Sequence, residues 1–267
     1  MLMLLPPSEG KTRPPRGKAL ALESLSFPSL TESRRTVLDA LTTLCSTDPV
    51  GARGVLGTSN AQDELIARNA RLALEPSATA DRIYTGVLYE SLGLRTLDAG
   101  ARRRAISQVL VMSALFGVVR ITDRVPAYRL SAGTNLPIPG SRTNVLAVNK
   151  LWHASLKPVL HELIGDRLVI DLRSGPYASM WRPSKDQAHQ VVTVRVLAEY
   201  ADGRRVTVSH FNKSTKGTLA RALLRQSARM RSASELADIC DQLGFRVELT
   251  ESVGLGHFSS LDVITAM

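Results

Sequence analysis

The sequence predicts a mixed α/β fold, built as a single domain over residues 1–267, with a mixed sheet surrounded by helices. Hydrophobic residues make up 44% of the chain, which is enough for one large core. Segments with helical and strand periodicity alternate, and no low-complexity linker or internal repeat separates them. VVTVRVLAEY and RRVTVSH flank Asp202-Gly203 and alternate apolar with polar residues, which predicts an antiparallel hairpin.

Four further segments are predicted as strands because they are short and either apolar or alternating. They are residues 1–5, VLVM at 109–112, LVIDL at 168–172 and RVELT at 246–250. RIYTGVLYESL, at 82–92, is left open between helix and strand.

Helices are predicted where apolar residues recur at helical spacing. Ser29 and Glu32 form a capping-box pattern ahead of VLDALTTL. TLDAGARRRAISQ is predicted to begin another helix, with Asp98 near the positive, amino-terminal end of its dipole. The other predicted helices cover residues 60–74, 144–164, 218–230 and 234–243.

The net charge of +10 favours a polyanion as partner, chiefly nucleic acid. Cys45 and Cys240 are far apart and form no paired motif, which is typical of a protein from the reducing cytosol. The longest apolar stretch, VLVMSALFGVV, is too short to span a bilayer, and the apolar start of the chain is too short for a signal peptide. We therefore expect a cytoplasmic protein that has no membrane partner.

Basic residues concentrate between positions 204 and 231, where eight Lys and Arg residues occur without any Asp or Glu. Arg221, Arg225 and Arg229 would share one face of the predicted helix, and such a face suits a phosphate backbone. Lys213 and Lys216 lie in a polar turn at the predicted helix start, where free N–H groups can bind an anion. A solvated helix face and ordinary helix capping remain open as alternatives.

A second basic group lies in VMSALFGVVRITDRVPAYRLSAG. Arg120, Arg124 and Arg129 are interleaved there with aromatic residues, a pattern that suits phosphate and base contacts. The alternative is a structural ion pair between Asp123 and one of these arginines.

Familiar catalytic motifs are missing from the sequence. Gly10-Lys11-Thr12 resembles the end of a phosphate-binding loop, but Leu5 stands at the first glycine position and Pro6-Pro7 cannot donate N–H groups. The histidines have no metal-binding spacing, and no Gly-x-Ser-x-Gly is present. We expect no metal and no cofactor. Candidate catalytic residues, chosen only by residue type and position, are Lys11, Tyr84, Ser113, Asp123, Tyr128 and Lys213.

Five spaced segments carry residue patterns in one order along most of the chain: LLPPSEGKT, IYTGVLYES, MSALFGVVRITDRVPAYRLSAG, VIDLRSGPY and SHFNKSTKGTLAR. Together they resemble the YaaA family of bacterial peroxide-stress proteins. The matched positions are Lys11, Tyr84, Gly86, Ser113, Gly117, Arg120, Asp123, Tyr128, Arg129, Leu130, Gly133, Ser174, Tyr177, Lys213, Lys216, Gly217 and Arg221.

The resemblance implies a single compact domain with the YaaA-type, or cantaloupe, topology. It also implies a positively charged cleft, a helix-hairpin-helix motif, binding of duplex or branched DNA, and a role in hydrogen peroxide resistance and DNA repair. It implies no particular enzymatic activity. LLPPSEGKT would then be a strand and loop at the edge of the basic cleft.

Two functions are consistent with these sequence features. The first is non-specific DNA binding in the peroxide-stress response, through Lys11, Arg120, Arg124, Arg129, Lys213, Lys216, Arg221 and Arg225. The second is an enzyme that acts on a small anionic or nucleotide-like substrate in the same cleft. A narrow site where Lys11, Ser113 and Lys213 converge would favour the enzyme, and a long open groove would favour DNA.

Overall fold

Strands from both ends of the chain join in one mixed sheet. The structure is a computed structural model that describes residues 1–141, 143–207, 209–252, 254 and 256–266. The strands within these ranges are β1 Leu2–Leu5, β2 Ser77–Thr79, β3 Val109–Ser113, β4 Gly117–Arg120, β5 Arg124–Pro126, β6 Asn135–Pro137, β7 Val145–Ala147, β8 Val169–Asp171, β9 Val191–Glu199, β10 Arg205–Val206, β11 Val247–Thr250 and β12 Ser259–Ala266.

Helices cover the main sheet and connect its strands. They are α1 Thr31–Thr47, α2 Pro49–Leu56, α3 Asp63–Asn69, α4 Ala80–Ile83, α5 Val87–Leu92, α6 Ala99–Gln108, α7 Val148–Ile164, α8 Gly175–Ala178, α9 Ser209–Arg225 and α10 Ala233–Gln242. The described helices include none that is both long enough and apolar enough to cross a membrane.

The main sheet has the strand order β11-β12-β9-β8-β1-β3-β4, and β10 pairs with the carboxyl-terminal end of β9. β12, β9, β8, β1 and β3 are parallel to their neighbours in this series, whereas β4, β10 and β11 run antiparallel. β1 lies between β3 and β8, and all four of its residues are fully buried. From β1 the chain continues to β3 and β4 on one side and later to β8 and β9 on the other side, so the strand order reverses at β1, in the middle of the core.

The predicted mixed α/β fold, with a mixed sheet and an antiparallel hairpin, is confirmed. β1, β3, β8 and β11 correspond to the four predicted strands, and β9 with β10 forms the hairpin at Asp202-Gly203. The second strand of the hairpin is shorter than predicted, because β10 covers only Arg205–Val206 of RRVTVSH and α9 begins at Ser209. Asp98 caps α6, because its carboxylate accepts a hydrogen bond from the Ala101 N–H at 2.9 Å. The open segment at 82–92 is helical at both ends, in α4 and α5.

Several predicted boundaries were wrong. The capping box at Ser29 does not form, because Pro28–Leu30 makes a 3₁₀ turn and α1 begins only at Thr31. The helix predicted over 60–74 is interrupted, with a 3₁₀ turn ahead of α3. The helix predicted from residue 144 begins at 148, since residues 145–147 pair with β6.

The polar turn predicted at Lys213 and Lys216 was also wrong. α9 begins at Ser209, so both lysines lie inside the helix, where the backbone N–H groups already have helical partners. Gly217 permits this arrangement, because a Cβ atom there would lie 2.2 Å from the Leu88 carbonyl oxygen of α5. The glycine marks the close packing of two helices rather than a turn.

Candidate functional site

Three parallel strands end at the same edge of the sheet, and polar residues follow each of them. β1 leads into the loop that carries Ser8 and Lys11, β3 ends at Ser113, and β8 leads into Arg173 and Tyr177. Open α/β sheets bind ligands at the carboxyl ends of the strands, where the strand order reverses. The reversal at β1 therefore marks this edge as the candidate site.

The loop after β1 is held against the start of α5. The Tyr89 hydroxyl donates to the Pro6 carbonyl at 2.7 Å, and the Thr85 N–H donates to the Ser8 Oγ at 3.1 Å. Lys11 forms an isolated antiparallel bridge with Tyr84. Gly86 adopts a φ of 99°, which non-glycine residues rarely adopt, and this turn lets α5 start beside the loop. The two matched segments LLPPSEGKT and IYTGVLYES thus form one structural unit.

Buried hydroxyl groups form a chain next to this unit. The Tyr84 and Tyr128 hydroxyls are 3.1 Å apart, and the Tyr128 hydroxyl is 2.7 Å from Ser113 Oγ. The Phe116 N–H donates to Ser113 Oγ at 2.9 Å, so the serine is fixed at the tip of the β3–β4 hairpin. Burial raises the pKa of Tyr84 to about 12 and that of Tyr128 well above its ordinary value. Both phenols are therefore neutral hydrogen-bond donors near neutral pH.

The Lys11 amine lies over these two rings. Its Nζ atom is 4.3 Å from the ring centroid of Tyr128 and 5.6 Å from that of Tyr84, and it donates to the Ser8 carbonyl at 2.7 Å. Burial and, to a lesser extent, the neighbouring Arg129 lower the pKa of Lys11, Glu9 partly opposes both effects, and together they bring the pKa from 10.5 to about 7. A substantial fraction of Lys11 is therefore a neutral amine at physiological pH.

Arg129 is the second cation of the site. Its backbone is clamped by the buried Asn69, whose side chain accepts from the Arg129 N–H at 3.0 Å and donates to the Arg129 carbonyl at 2.7 Å. Its Nη1 atom lies 3.9 Å from the Glu9 carboxylate, which is 85% exposed. Arg129 Nε is buried and has no hydrogen-bond partner within the described part of the chain. We name Lys11, Tyr84, Ser113, Tyr128 and Arg129 the carboxyl-edge cluster.

Tyr177, from the segment after β8, lies beside the carboxyl-edge cluster. Burial raises the pKa of Tyr177, and so does the nearby Tyr84 hydroxyl, whereas Arg129 lowers it. Just before it, Arg173 donates to both Asp171 oxygens, at 2.8 and 2.7 Å, in a buried ion pair. The Arg173 guanidinium also donates hydrogen bonds to the carbonyls of Tyr177 and Trp181, and these bonds fix the loop that carries Tyr177.

Lys216 reaches the same loop from α9. Its buried ammonium donates to the carbonyls of Leu172 at 3.2 Å and Arg173 at 3.4 Å. Burial lowers its pKa, and Asp171 partly opposes that effect. Lys216 therefore holds α9 to the sheet edge instead of extending into solvent.

The remaining predicted residues are separate from these contacts. Arg221 donates to the carbonyls of Leu92, at 3.0 Å, and Gly93, at 2.9 Å, and so binds the carboxyl end of α5. Arg124 donates to the Ser77 carbonyl at 2.7 Å. Lys213 and Arg225 are exposed on α9.

The Asp123 side chain contacts the backbone of Arg120 rather than its side chain. The Asp123 carboxylate accepts from the Arg120 N–H at 2.9 Å and from the Ser26 hydroxyl at 2.7 Å, so it fixes a loop rather than forming an ion pair with the Arg120 guanidinium. That guanidinium lies 5.3 Å from the ring centroid of Phe27.

Sequence reasoning had not selected Asn69 or the Asp171–Arg173 pair. Asp171 could have been found, because it is a charged residue at the end of an otherwise apolar buried strand. Asn69 has no comparable signal, since its role depends on a partner 60 residues away. Among the residues that the structure describes, no three His, Cys, Asp or Glu side chains are grouped as metal ligands.

Comparisons with known proteins agree with the spaced motifs. The family model described as "Peroxide stress protein YaaA" matches residues 1–250. The chain is 46% identical to the UPF0246 protein SCO2297 of Streptomyces coelicolor over 264 residues, which cover 99% of this chain and 98% of that protein. It is 40% identical to the UPF0246 protein CE1889 of Corynebacterium efficiens over 251 residues, which cover 94% and 96% of the two chains. The chain therefore belongs to the peroxide stress protein YaaA family.

Proposed function

We propose that the carboxyl-edge cluster binds a small anionic substrate and acts on it as an enzyme. The observation that carries this proposal is the placement of the Lys11 amine beside Arg129 and above a chain of buried hydroxyl groups. Lys11, Tyr84, Ser113, Tyr128 and Arg129 were all selected from the sequence, and they come from three of the five spaced segments.

The charges favour an anionic ligand. Lys11 and Arg129 are close enough for Arg129 to lower the Lys11 pKa, and the carboxylate nearest to Arg129 in the described residues, Glu9, is mostly in solvent. Like charges that lack a buried counter-ion are relieved when an anion binds between them. The unpartnered Arg129 Nε would gain a charge-assisted hydrogen bond at the same time.

The protonation states favour chemistry rather than simple binding. An amine whose pKa is near 7 can accept or supply a proton, or act as a nucleophile, at physiological pH. The hydroxyl chain uses two of its three hydrogens internally, so one neutral phenol, Tyr84 or Tyr128, can donate a hydrogen bond to an oxygen of the substrate. Tyr84 is 1% exposed and Ser113 is fully buried, and such depth suits a small substrate better than a duplex.

Thermal shift measurements with anionic probes test the proposal. Inorganic phosphate and nucleoside monophosphates should raise the Tm of the wild-type protein, because a ligand that binds only the folded state stabilises it. The shift should be lost in Arg129→Gln and kept in the control Arg225→Gln, which removes an exposed arginine on α9. Shifts of equal size in both variants, or no shift with any probe, would reject the site.

DNA binding is a second candidate, and a different surface favours it. Arg120 ends β4, which runs antiparallel to β3, so Arg120 lies at the amino edge of the parallel strands. The Leu2 N–H donates to the Leu168 carbonyl at 2.7 Å, which places the Met1 amine near Arg167. Burial and then Arg120 lower the pKa of Arg167, burial and then Arg167 and Arg229 lower that of the Met1 amine, and Asp166 partly opposes both shifts. We name these four basic groups, the Met1 amine, Arg120, Arg167 and Arg229, the amino-edge cluster.

The amino-edge cluster and the net charge of +10 together suit a phosphate backbone. Fluorescence anisotropy with a mixed-sequence duplex across a salt series tests this candidate. The slope of log K against log salt should become shallower by about two in Arg167→Ala/Arg229→Ala. It should change little in Arg16→Ala/Lys18→Ala, which removes two exposed cations from the loop after β1. Absence of wild-type binding at low salt would reject DNA as the partner.

A further inference from the structure

The surroundings of the Lys11 amine fit a nucleophile. The hydrogen bond to the Ser8 carbonyl uses one N–H of Lys11 and fixes the direction of the side chain. In the neutral amine, the second N–H and the lone pair remain for a substrate. Lysines that form Schiff bases with carbonyl compounds are activated by desolvation or by a neighbouring cation, each of which favours the neutral amine. Lys11 has the Tyr128 ring beneath it and Arg129 nearby, so it meets both conditions.

Other lysines near the sheet edge do not share these surroundings. Lys216 is buried, but its ammonium donates to two backbone carbonyls and connects α9 to the loop after β8. Lys213 is exposed on α9. Lys11 is therefore the amine of this edge that has both a fixed direction and a neighbouring set of acid groups.

We infer that the substrate is an anionic carbonyl compound, an aldehyde or ketone that carries a phosphate or carboxylate group, and that Lys11 Nζ forms an imine with its carbonyl carbon. This inference rests on the proposed function of the carboxyl-edge cluster. Arg129 would hold the anionic group, and the Tyr128 or Tyr84 hydroxyl would face the carbonyl oxygen.

The step balances without any oxidant or reductant. The Nζ lone pair attacks the carbonyl carbon, the C=O π electrons move to oxygen, and one proton moves from nitrogen to oxygen, which gives a carbinolamine. A neutral phenol protonates its hydroxyl, which leaves as water while the nitrogen lone pair forms the C=N bond, and the phenolate that remains regains a proton from solvent. The product is a cationic iminium and one water molecule. The anionic group of the substrate offsets the charge of the iminium beside Arg129.

Borohydride trapping on the full-length protein tests the inference. The probes are glycolaldehyde phosphate, which has both groups, and glycolaldehyde, which lacks the anion. After reduction, peptide mapping should place the glycolaldehyde phosphate adduct on Lys11 in preference to all other lysines. Labelling should be abolished at this peptide in Lys11→Met and unchanged in the control Lys213→Met. In Arg129→Gln, labelling by glycolaldehyde phosphate should fall about tenfold or more, because a charge-assisted contact is lost. Labelling by glycolaldehyde should change little.

The mapping on wild-type protein remains decisive even if Lys11→Met fails to fold, since it needs no variant. Phosphoglycolate, which has the anion but no aldehyde or ketone, separates the inference from the proposed function. If phosphoglycolate raises the Tm and glycolaldehyde phosphate does not label Lys11 preferentially, the imine is refuted while the anion site stands. If phosphoglycolate causes no shift and Lys11 is not labelled, both ideas fail.

Discussion

Replacing Gly217 by alanine tests whether α9 packs on α5 as closely as the structure indicates. The added Cβ would lie 2.2 Å from the Leu88 carbonyl oxygen and 2.8 Å from Ser91 Cβ, so the two helices would have to separate by about 1 Å to restore van der Waals contact. Overpacking typically costs ~1–3 kcal/mol, and the upper part of that range, roughly 2–3 kcal/mol, applies here because the contact is with a backbone oxygen. The change from glycine to alanine within a helix returns ~1 kcal/mol at most.

Gly217→Ala should therefore be destabilised by roughly 1–2 kcal/mol, which lowers the Tm of a chain of this size by about 2–8 °C. Urea and thermal denaturation measure the change. Gly54 provides the matched control, because it also lies within a helix, α2, but no atom is within 4 Å of its Cβ position. Gly54→Ala should be stabilised by roughly 0.5–1 kcal/mol. Equal or greater stability of Gly217→Ala would refute the close helix contact that positions Lys216 and Arg221.

Three further predictions concern the site and the thiols. The unfolded chain binds more protons at Lys11 than the folded chain between about pH 7 and pH 10, so the contribution of Lys11 to stability should rise with pH in that window. The difference in urea midpoint between wild type and Lys11→Met should therefore change with pH in the same direction across that window. Asn69→Ala removes the two buried hydrogen bonds that hold the Arg129 backbone and should lower the free energy of unfolding by ~1–3 kcal/mol. Anion binding by Arg129 should weaken as well. An unchanged urea midpoint would contradict this role of Asn69. Cys45 and Cys240 are buried, and burial raises their pKa values to about 11 and about 12, so native protein should keep both thiols reduced in peroxide by mass spectrometry. Rapid oxidation of either thiol in the folded protein would overturn that expectation.

Local patterns predicted the main strands because burial imposes apolar sequences on them. β1, β3 and β8 lie in the centre of the sheet. β1 is apolar along its whole length, and β3 and β8 are apolar except for the last residue of each. β12 was missed even though it lies between β9 and β11, since Asp262 interrupts its apolar run. That carboxylate is paired with Arg195 of β9 at 2.6 Å, a contact that no local pattern can reveal.

The site was predicted only in part for a related reason. Lys11, Tyr84, Ser113, Tyr128 and Arg129 were selected as single residues, but their grouping depends on the parallel order of β1, β3 and β8. The basic residues of α9 are the opposite case, because they are grouped in the sequence but have different roles in the fold.

Charge alone did not reveal which arginines and lysines of α9 bind backbone carbonyls. Arg221 and Lys216 form such contacts, whereas Lys213 and Arg225 are exposed. The partners of buried cations are distant in sequence, so they become visible only in the fold.

The pH titration of the Lys11 amine tests the central claim most directly. Competitive labelling with acetic anhydride, followed by peptide mass spectrometry across a pH series, measures this titration in the folded protein. We expect a midpoint near pH 7, and a higher midpoint when phosphate is bound beside Arg129, because an anion favours the charged amine. A midpoint near the ordinary lysine value of 10.5, unchanged by phosphate, would contradict the account of the carboxyl-edge cluster.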